Sequence, residues 1–423
     1  MPEKVVISID ALGNRTTSVY DAASRQIGTI TPLLNRFTMV FDVANQKIAA
    51  IDPFAKRTTT LFDVAGRPYS MIDPLNHRLT SVYDKANQKI GTVDPLGNRW
   101  TTAFNAAGQT TSAINPLLNR VTTTYDAAAR VLAAIDPLGN RTTSVYNGAS
   151  WRVGSIDPLN HRTTAIYDVT GRQVASQSPL NYRTTSVFNS GAQLSSLIDQ
   201  RSNRRTFTYD AASQRTQLID SLGRRTTPAY DAAGNQTLRI DPRSNRTTYV
   251  FDPLNRATNR KYPDGTRVTF VFDASGRRTK TLDSSGRYTY IFDALNRITG
   301  QTNFASRRMT LTYDVAGRNV RFTSPSGGLF TNVFDAANKL TVETNPDGFQ
   351  TTISYDAAAR RTVERLGNGT RTSLTYDAAN RTTEVSNRKS DGTQLLTLDY
   401  RYDAASNRTA MLESDGSRVT RPY

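Results

Sequence analysis

One short motif recurs along the whole chain and decides what the chain can fold into. An aromatic residue followed by Asp or Asn stands every 21 residues from Tyr20 to Phe272, and the series continues to Tyr402 with spacings of 20, 21 and 26. These 19 units leave no room for a separate globular domain. A length of 423 residues would alone suggest two or three domains, but the repeats predict a single repeat architecture.

The units fall into two parts. Residues 1–272 are highly regular 21-residue repeats, and residues 273–423 are diverged repeats that continue the first part. In the later units, strings such as Pro346-Asp347-Gly348 replace the usual turn sequence. This contrast predicts one continuous array whose first part has been amplified.

Every unit carries two turn sequences. The first, Asp-x-x-Gly, follows the aromatic residue, as in residues 63–66, and is called the Asp-Gly turn. The second, Asp-Pro-Leu-Gly-Asn, as in residues 94–98, is called the Asp-Pro turn. Pro presets the first turn dihedral, and Gly or Asn accepts a positive φ. The runs of about six residues between turns are rich in Thr, Val, Ile and aromatics, which is typical of strands. Two strands per unit predict an all-β chain, a long antiparallel meander of about 38 short strands.

The odd repeat length constrains the register of these strands. We expect the Asp-Gly turn to pair its Asp with the residue four positions later. Side chains would then change faces at each repeat unless the Asp-Pro turn has a loop of a different parity, so a four-residue loop is predicted there. This register puts Tyr125, Ile135 and Thr123 on one face. It puts the following residues on the other: Arg120, Thr122, Thr124, Leu132 and Asp136.

Arg occupies the position five residues before the aromatic in all 13 units up to Phe272. In the predicted register each Arg lies across the Asp-Pro turn from the Asp, as Arg141 does from Asp136, and such pairs would form a ladder at the strand ends. The alternative is a basic track with one Arg about every 9–10 Å, able to bind a polyanion or carbohydrate. The formal charge of +17 keeps this alternative open. The candidate binding residues are Arg36, Arg57, Arg78, Arg99, Arg120, Arg141, Arg162 and Arg183.

Composition argues against most catalytic classes. There is no Cys, so disulfide scaffolds and Cys-ligated metal sites are excluded. The two His residues, His77 and His161, share one turn position, and we expect them to be polar turn residues. No catalytic, cofactor-binding or metal-binding residues are predicted, and no cofactor is expected. No run of about 20 apolar residues that could span a membrane occurs, and no signal peptide is visible at the N-terminus.

The string Tyr-Asp-x-x-Gly-Arg at residues 313–318, and its Phe counterpart at residues 272–277, resembles the YD repeat of the Rhs family. That family includes Rhs polymorphic toxins, the C components of insecticidal toxin complexes and animal teneurins. The resemblance covers essentially the whole chain. It implies a hairpin strip wound as a spiral into a large hollow shell, which encloses a toxic domain in the toxins and belongs to an adhesion ectodomain in teneurins. The toxins' autoproteolytic core segment has no counterpart here, so no catalytic Asp is carried over and shell wall alone is expected.

Together these features favour a non-enzymatic structural or encapsulating shell protein, extracellular or at the cell surface by family resemblance. Three alternatives stay open: the wall of a toxin-delivery protein without its toxic domain, an adhesive protein that binds polyanions or carbohydrates, and a filament. The expected partners are an encapsulated polypeptide cargo, a surface polyanion or carbohydrate, or another copy joined end to end. Nucleic acid is not an expected partner.

Overall fold

The 21-residue period is realised as a continuous ribbon of β-hairpins. The computed structural model describes residues 3–420, which contain 40 strands and no α-helix. Each strand pairs antiparallel with the strand before it and the strand after it in the chain. Within the described residues β1 and β40 have one partner each, so strand pairing does not close the sheet. The prediction of an all-β antiparallel meander of about 38 strands is confirmed.

The strands alternate between lengths of six and five residues through most of the chain. The first 20 are β1 Lys4–Ile9, β2 Arg15–Tyr20, β3 Gln26–Ile30, β4 Arg36–Phe41, β5 Lys47–Ile51, β6 Arg57–Phe62, β7 Pro68–Ile72, β8 Arg78–Tyr83, β9 Lys89–Val93, β10 Arg99–Phe104, β11 Thr110–Ile114, β12 Arg120–Tyr125, β13 Val131–Ile135, β14 Arg141–Tyr146, β15 Arg152–Ile156, β16 Arg162–Tyr167, β17 Gln173–Gln177, β18 Arg183–Phe188, β19 Leu194–Ile198 and β20 Arg204–Tyr209. The remainder are β21 Arg215–Ile219, β22 Arg225–Tyr230, β23 Gln236–Ile240, β24 Arg246–Phe251, β25 Ala257–Lys261, β26 Arg267–Phe272, β27 Arg278–Asp283, β28 Gly286–Phe292, β29 Ile298–Thr302, β30 Arg308–Tyr313, β31 Asn319–Thr323, β32 Leu329–Phe334, β33 Leu340–Thr344, β34 Gln350–Tyr355, β35 Arg361–Arg365, β36 Arg371–Tyr376, β37 Thr382–Arg388, β38 Gln394–Tyr402, β39 Arg408–Glu413 and β40 Arg418–Thr420.

The two turns of a unit have the same backbone structure. In the Asp-Gly turn the amide of Asp126 donates to the carbonyl of Arg130, and in the Asp-Pro turn the amide of Asp136 donates to the carbonyl of Asn140. The fourth residue of each turn has a positive φ, 63° at Ala129 and 85° at Gly139. The prediction of a four-residue loop at the Asp-Pro turn was therefore wrong.

A β-bulge, not a second turn type, restores the side-chain faces in each repeat. Thr124 pairs with Ala133 but Tyr125 pairs with Val131, so one extra residue, Leu132, sits between them. The predicted faces change accordingly. Ile135 pairs with Thr122, so it lies on the face opposite Tyr125, and the predicted grouping of Tyr125 with Ile135 was wrong. The sequence led to the wrong assignment of the extra residue, to the Asp-Pro turn instead of the strand, because a bulge has no fixed residue signature.

Two units, one shorter and one longer than 21 residues, show that changes in unit length affect only the hairpin in which they occur. The 20-residue unit contains a tighter hairpin in which Asp283 pairs with Gly286. The 26-residue unit contains the longest hairpin, β37 with β38. In both cases the neighbouring units keep the ordinary pairing. Each unit therefore depends mainly on its neighbours, as in other repeat architectures.

The most deeply buried positions carry small residues. Eight residues after each aromatic, nine consecutive units have Gly, Ala or Ser, and all nine are buried. They are Gly28, Ala49, Ser70, Gly91, Ser112, Ala133, Gly154, Ala175 and Ser196. A Cβ added at Gly154 would lie 3.3 Å from the Nε atom of Arg162, so the arginine stem covers this position. In these nine units the most buried layer is therefore a line of small residues covered by longer neighbouring side chains.

The ribbon coils, so that later repeats lie beside earlier ones. The Arg297 guanidinium lies 5.9 Å from the centre of the Phe54 ring, about 240 residues away in the chain. Three cavities along the same line are lined from both sides, by residues near 52–75 and 295–315, 58–100 and 336–359, and 121–158 and 404–406. We call this contact, between the Asp-Pro turns of residues 52–160 and the Asp-Gly turns of residues 293–406, the seam.

The position of the seam gives the width of the coil. It brings the turn between β5 and β6 next to the turn between β28 and β29, which are 23 strands apart. At about 4.8 Å per strand this corresponds to a circumference of about 110 Å and a width of about 35 Å, measured at the backbone. The described strands therefore make more than one full turn of the spiral.

Candidate functional site

The arginine of the Asp-Gly turn links each hairpin to the next. Arg318 donates from Nε to Asp314 Oδ2 at 2.6 Å within its own turn. Its other end donates to the carbonyl of Asp335, 3.1 Å away in the following unit, and lies over the Phe334 ring at 5.0 Å. We call this set of contacts the arginine clamp. It ties neighbouring Asp-Gly turns together by a charged hydrogen bond and a cation–π contact.

The clamp is most complete along the part of the chain that forms the seam. Every unit from residue 256 to residue 381 has a basic residue at this position, whereas earlier units often have Gln. The basic residues are Arg256, Arg277, Arg297, Arg318, Lys339, Arg360 and Arg381. The side chain of Asp314 is 16% exposed, against 22% for Asp63 in the first part. The sequence analysis missed this role, although the basic residue at the sixth position of the motif was visible.

The aspartates of both turns hold the backbone of their own loops. Asp136 Oδ1 accepts hydrogen bonds from the amides of Leu138 and Asn140, at 2.9 and 2.8 Å. In the Asp-Gly turn, the hydrogen bond from the Arg67 side chain holds the pKa of Asp63 below its ordinary value. A hydrogen bond from the Thr170 hydroxyl is the largest cause of the lowered pKa of Asp168. These carboxylates therefore accept hydrogen bonds from groups of their own turns.

The two histidines stand where other units have Asn. His77 Nδ1 lies 3.1 Å from Asp73 Oδ2, and Asn140 Nδ2 makes the equivalent contact with Asp136 Oδ2 at 2.9 Å. The histidine therefore replaces a polar turn contact, as the sequence analysis expected. Across residues 3–420, no three His, Asp or Glu side chains come together as a group that could hold a metal ion.

Tyrosine hydroxyls donate hydrogen bonds to backbone carbonyls at the bulges. Tyr146 donates to the carbonyl of Val131 at 3.0 Å, and Tyr313 donates to the carbonyl of Ile298 at 2.8 Å. In each case the acceptor is the residue paired with the preceding aromatic at the bulge. A phenylalanine at the same position keeps the ring but leaves this carbonyl without the bond. The alternation of Tyr and Phe along the repeat therefore changes hydrogen bonding more than packing.

The predicted arginine row is present as a regular series of exposed side chains. Arg141 pairs with Ile135, not with Asp136, so the predicted ladder of opposite charges across the Asp-Pro turn was wrong. None of the eight arginines forms an ion pair with any residue between 3 and 420. Arg78 donates to Ser70 Oγ at 2.8 Å, which is a contact with the small buried position. All eight are exposed at the start of alternate strands: Arg36, Arg57, Arg78, Arg99, Arg120, Arg141, Arg162 and Arg183.

Leucines of the Asp-Pro turns are less exposed in the seam than beyond it. The third residue of this turn is 44% exposed at Leu138 and 36% at Leu159, which lie in the seam. At the same turn position beyond the seam, Leu180 and Leu222 are 73% and 75% exposed. The opposite side of the seam presents small side chains such as Ala337 and Ala405. In these two cavities the alanines lie together with larger residues of the first edge, Trp100 and Val121.

Comparisons with known proteins agree with this geometry. The RHS Repeat family model matches residues 230–267. The crystal structure of TcdB2-TccC3-TEV aligns with 95% of this chain at a TM-score of 0.70 and 13% identity, and that of TcdB2-TccC3 aligns with 97% at 0.53 and 12%. This chain spans 31% of the length of each of those chains. No significant match is found among curated protein sequences.

Residues 230–267 carry an Rhs-type repeat, and the chain shares the fold of the TcdB2-TccC3 structures. The family match and the repeat fall on the same residues, since the matched segment begins at Tyr230 and contains Phe251. The described residues contain no helix long and apolar enough to cross a membrane.

Proposed function

We propose that this chain is a non-enzymatic wall segment of a hollow protein shell that acts outside the cell. The seam is the observation that supports this most directly, because it turns a flat ribbon into a coil of defined width. The polar groups of the repeat support it too, since turn carboxylates, clamp arginines and tyrosine hydroxyls are bonded to the chain itself. The function of such a wall is to enclose space.

The enclosed partner in this proposal is a polypeptide cargo. A coil about 35 Å wide at the backbone has room for an unfolded or small folded chain once the inward side chains are subtracted. A toxin-delivery protein is one form of the same proposal, in which the cargo is a toxic domain. The chains of the matched TcdB2-TccC3 structures are about three times as long as this chain, so this form rests on the fold alone.

Electron cryo-microscopy of the purified chain tests the shell proposal. We expect compact particles with a low-density centre, because the seam holds successive coils together. Open ribbons with free edges at dilute concentration would contradict the proposal. Protease treatment of intact cells that make the protein tests its location, since an external protein is degraded while a cytosolic control survives.

The arginine row supports a second function, binding of an extended polyanion or acidic carbohydrate. The eight side chains are exposed, carry no ion pair and repeat every two strands, about 10 Å apart. Only Arg78 among them lies near an aromatic ring within the described residues, 5.6 Å from the centre of Tyr69. A row in which one arginine of eight has an aromatic neighbour favours charge recognition over the base stacking that single-stranded nucleic acids use.

Heparin chromatography with matched variants tests this second function. The variant R99Q/R120Q/R141Q/R162Q removes four charges from the row, and K47Q/K89Q/R152Q/R215Q removes four exposed charges that pair with aromatic positions on the other face. We expect retention to fall steeply with salt and to drop in the first variant only. Elution of the native chain below the salt needed for lysozyme, or equal losses in both variants, would refute binding along the row.

A further inference from the structure

Both edges that form the seam continue beyond it, and there the described residues leave them uncovered. On the edge of Asp-Gly turns, Val43, Val64 and Val169 occupy the second turn position and are fully exposed. Val315 occupies the same position inside the seam and is half-buried. The exposure of these valines therefore reflects a missing neighbour and not their position in the turn.

The edge of Asp-Pro turns is uncovered from residue 180 onward. There, Leu180 and Leu222 stand free at the position that packs in the seam. Further along the same edge, other large apolar side chains are exposed as well. The exposed set on this edge is Leu180, Tyr182, Leu222, Phe304, Phe349 and Leu366.

We propose that a second copy of this chain docks on these edges, head to tail. The uncovered Asp-Pro edge of one copy, from Leu180 onward, packs on the uncovered Asp-Gly edge of the next, along residues 42–170. This contact uses the same two partner edges as the seam, with the same 21-residue period. It extends an interface that the chain already forms with itself.

Head-to-tail docking fits these edges better than a symmetric dimer does. Trp100 shares one seam cavity with Ala337, and Val121 shares another with Ala405, so large side chains of one edge face small ones of the other at these two places. Two Asp-Gly edges facing each other would set Ala and Val against Ala and Val and bury less apolar area. A head-to-tail contact is heterologous, and because the spiral advances along its axis the contact does not close into a ring. Copies therefore add into short stacks that lengthen with concentration.

Sedimentation velocity on the full chain, between about 1 and 100 µM, tests the proposal. Two variants each disable one edge: V43D/V64D on the Asp-Gly edge and L180D/L222D on the Asp-Pro edge. Each variant alone should associate at least about tenfold more weakly than the native chain, because a charged side chain replaces an apolar one at the contact. An equal mixture of the two should recover a dimer and stop there, since each variant keeps one working edge.

The variant V250D/V333D is the matched control. Both valines are exposed, at 56% and 54%, but they lie within strands on a face of the ribbon and not at a turn. Its association should equal that of the native chain. Three results would overturn the proposal: a native chain that stays single at the highest concentration, edge variants that associate as the native chain does, or a mixture that recovers nothing. The second of these would place association at the free strand ends. Hollow single particles would leave the shell proposal standing in every case.

Discussion

At the residue scale, the clamp arginine is the repeated side chain that joins one hairpin to the next. Arg318 joins its own Asp314 to the carbonyl of Asp335 and the Phe334 ring in the next hairpin. The pair Arg318–Asp314 is less than one-fifth exposed, so solvent screens it only partly. Its loss should therefore affect two neighbouring turns at once.

We predict that Arg318→Gln destabilises this region by about 1–3 kcal/mol. Hydrogen exchange of the amides in residues 333–340 should accelerate accordingly, because the turn that accepts the arginine bond loses its tie. Arg120→Gln is the control, since Arg120 is exposed and forms no ion pair within residues 3–420. Equal effects of the two substitutions would show that the clamp adds nothing to an ordinary surface arginine.

The lowered pKa values of the turn aspartates predict how the stability of the fold depends on pH. Hydrogen bonds from Arg25, Arg67 and Arg130 hold the pKa values of Asp21, Asp63 and Asp126 below the ordinary value. A carboxyl whose pKa is lower in the folded than in the unfolded chain stabilises the fold fully above the unfolded pKa, about 3.9, and loses that contribution as pH falls through the folded pKa.

We therefore expect the unfolding midpoint in urea to stay nearly constant from about pH 7 to pH 5 and to fall below about pH 4. Constant ionic strength keeps the growing positive charge screened during the series. The variant D63N/D126N should show a shallower acid decline, because two of the linked carboxyls are gone. A midpoint that falls with the same slope in that variant would assign the acid effect to net charge alone.

At the element scale, hairpins and turns were readable from the sequence, while the register was not. Asp-Pro-Leu-Gly-Asn marks a turn because each residue type fits one turn position. Leu132, the extra residue of the bulge, is chemically like any strand residue, so the odd count could be assigned to the wrong loop. The same error moved Ile135 to the wrong face and Arg141 opposite the wrong partner. The arginine row itself was found because its spacing depends only on the period.

At the bulge, the contribution of the extra backbone residue to stability can be separated from that of the Leu132 side chain. Deleting Leu132 removes the extra residue, so the pairing of Thr124 with Ala133 and that of Tyr125 with Val131 can no longer coexist with the present faces. We expect the deletion to cost more than about 3 kcal/mol or to abolish soluble expression. Leu132→Ala keeps the backbone and should cost about 1–2 kcal/mol because this side chain is only half-buried. Thermal melts of both variants distinguish the two effects, and similar losses would mean that the side chain matters more than the bulge.

At the scale of the whole molecule, periodicity alone does not tell how many units complete one turn of the spiral. Every unit offers the same edges, so the sequence is compatible with many coil widths. One trace of the seam is nevertheless present in the sequence. The third residue of the Asp-Pro turn is apolar through the seam, as in Leu96 and Leu138, but Arg201 and Arg243 occupy this position beyond it.

This trace yields a paired experiment on closure of the coil. L96D/L138D places two carboxylates in the seam, and L180D/L222D makes the same changes at the same turn position where the described residues provide no neighbour. Leu96 and Leu138 are 47% and 44% exposed, so we expect each to contribute about 1 kcal/mol to the contact, and a partly covered carboxylate adds a desolvation cost. We expect L96D/L138D to lower the sedimentation coefficient of the single chain and to raise hydrogen exchange in residues 334–340 and 402–408 at least about tenfold.

The control should keep both properties at dilute concentration, where copies do not stack. Unchanged exchange in the seam variant would mean that strand twist alone sets the coil, and that the leucines merely lie nearby. Opening in the seam variant with intact strands, measured as unchanged circular dichroism, would show that the wall is held by two separable contacts. Hydrogen bonds between strands would then hold the ribbon together, and the side chains of the seam would hold the ribbon in a coil that can enclose a cargo.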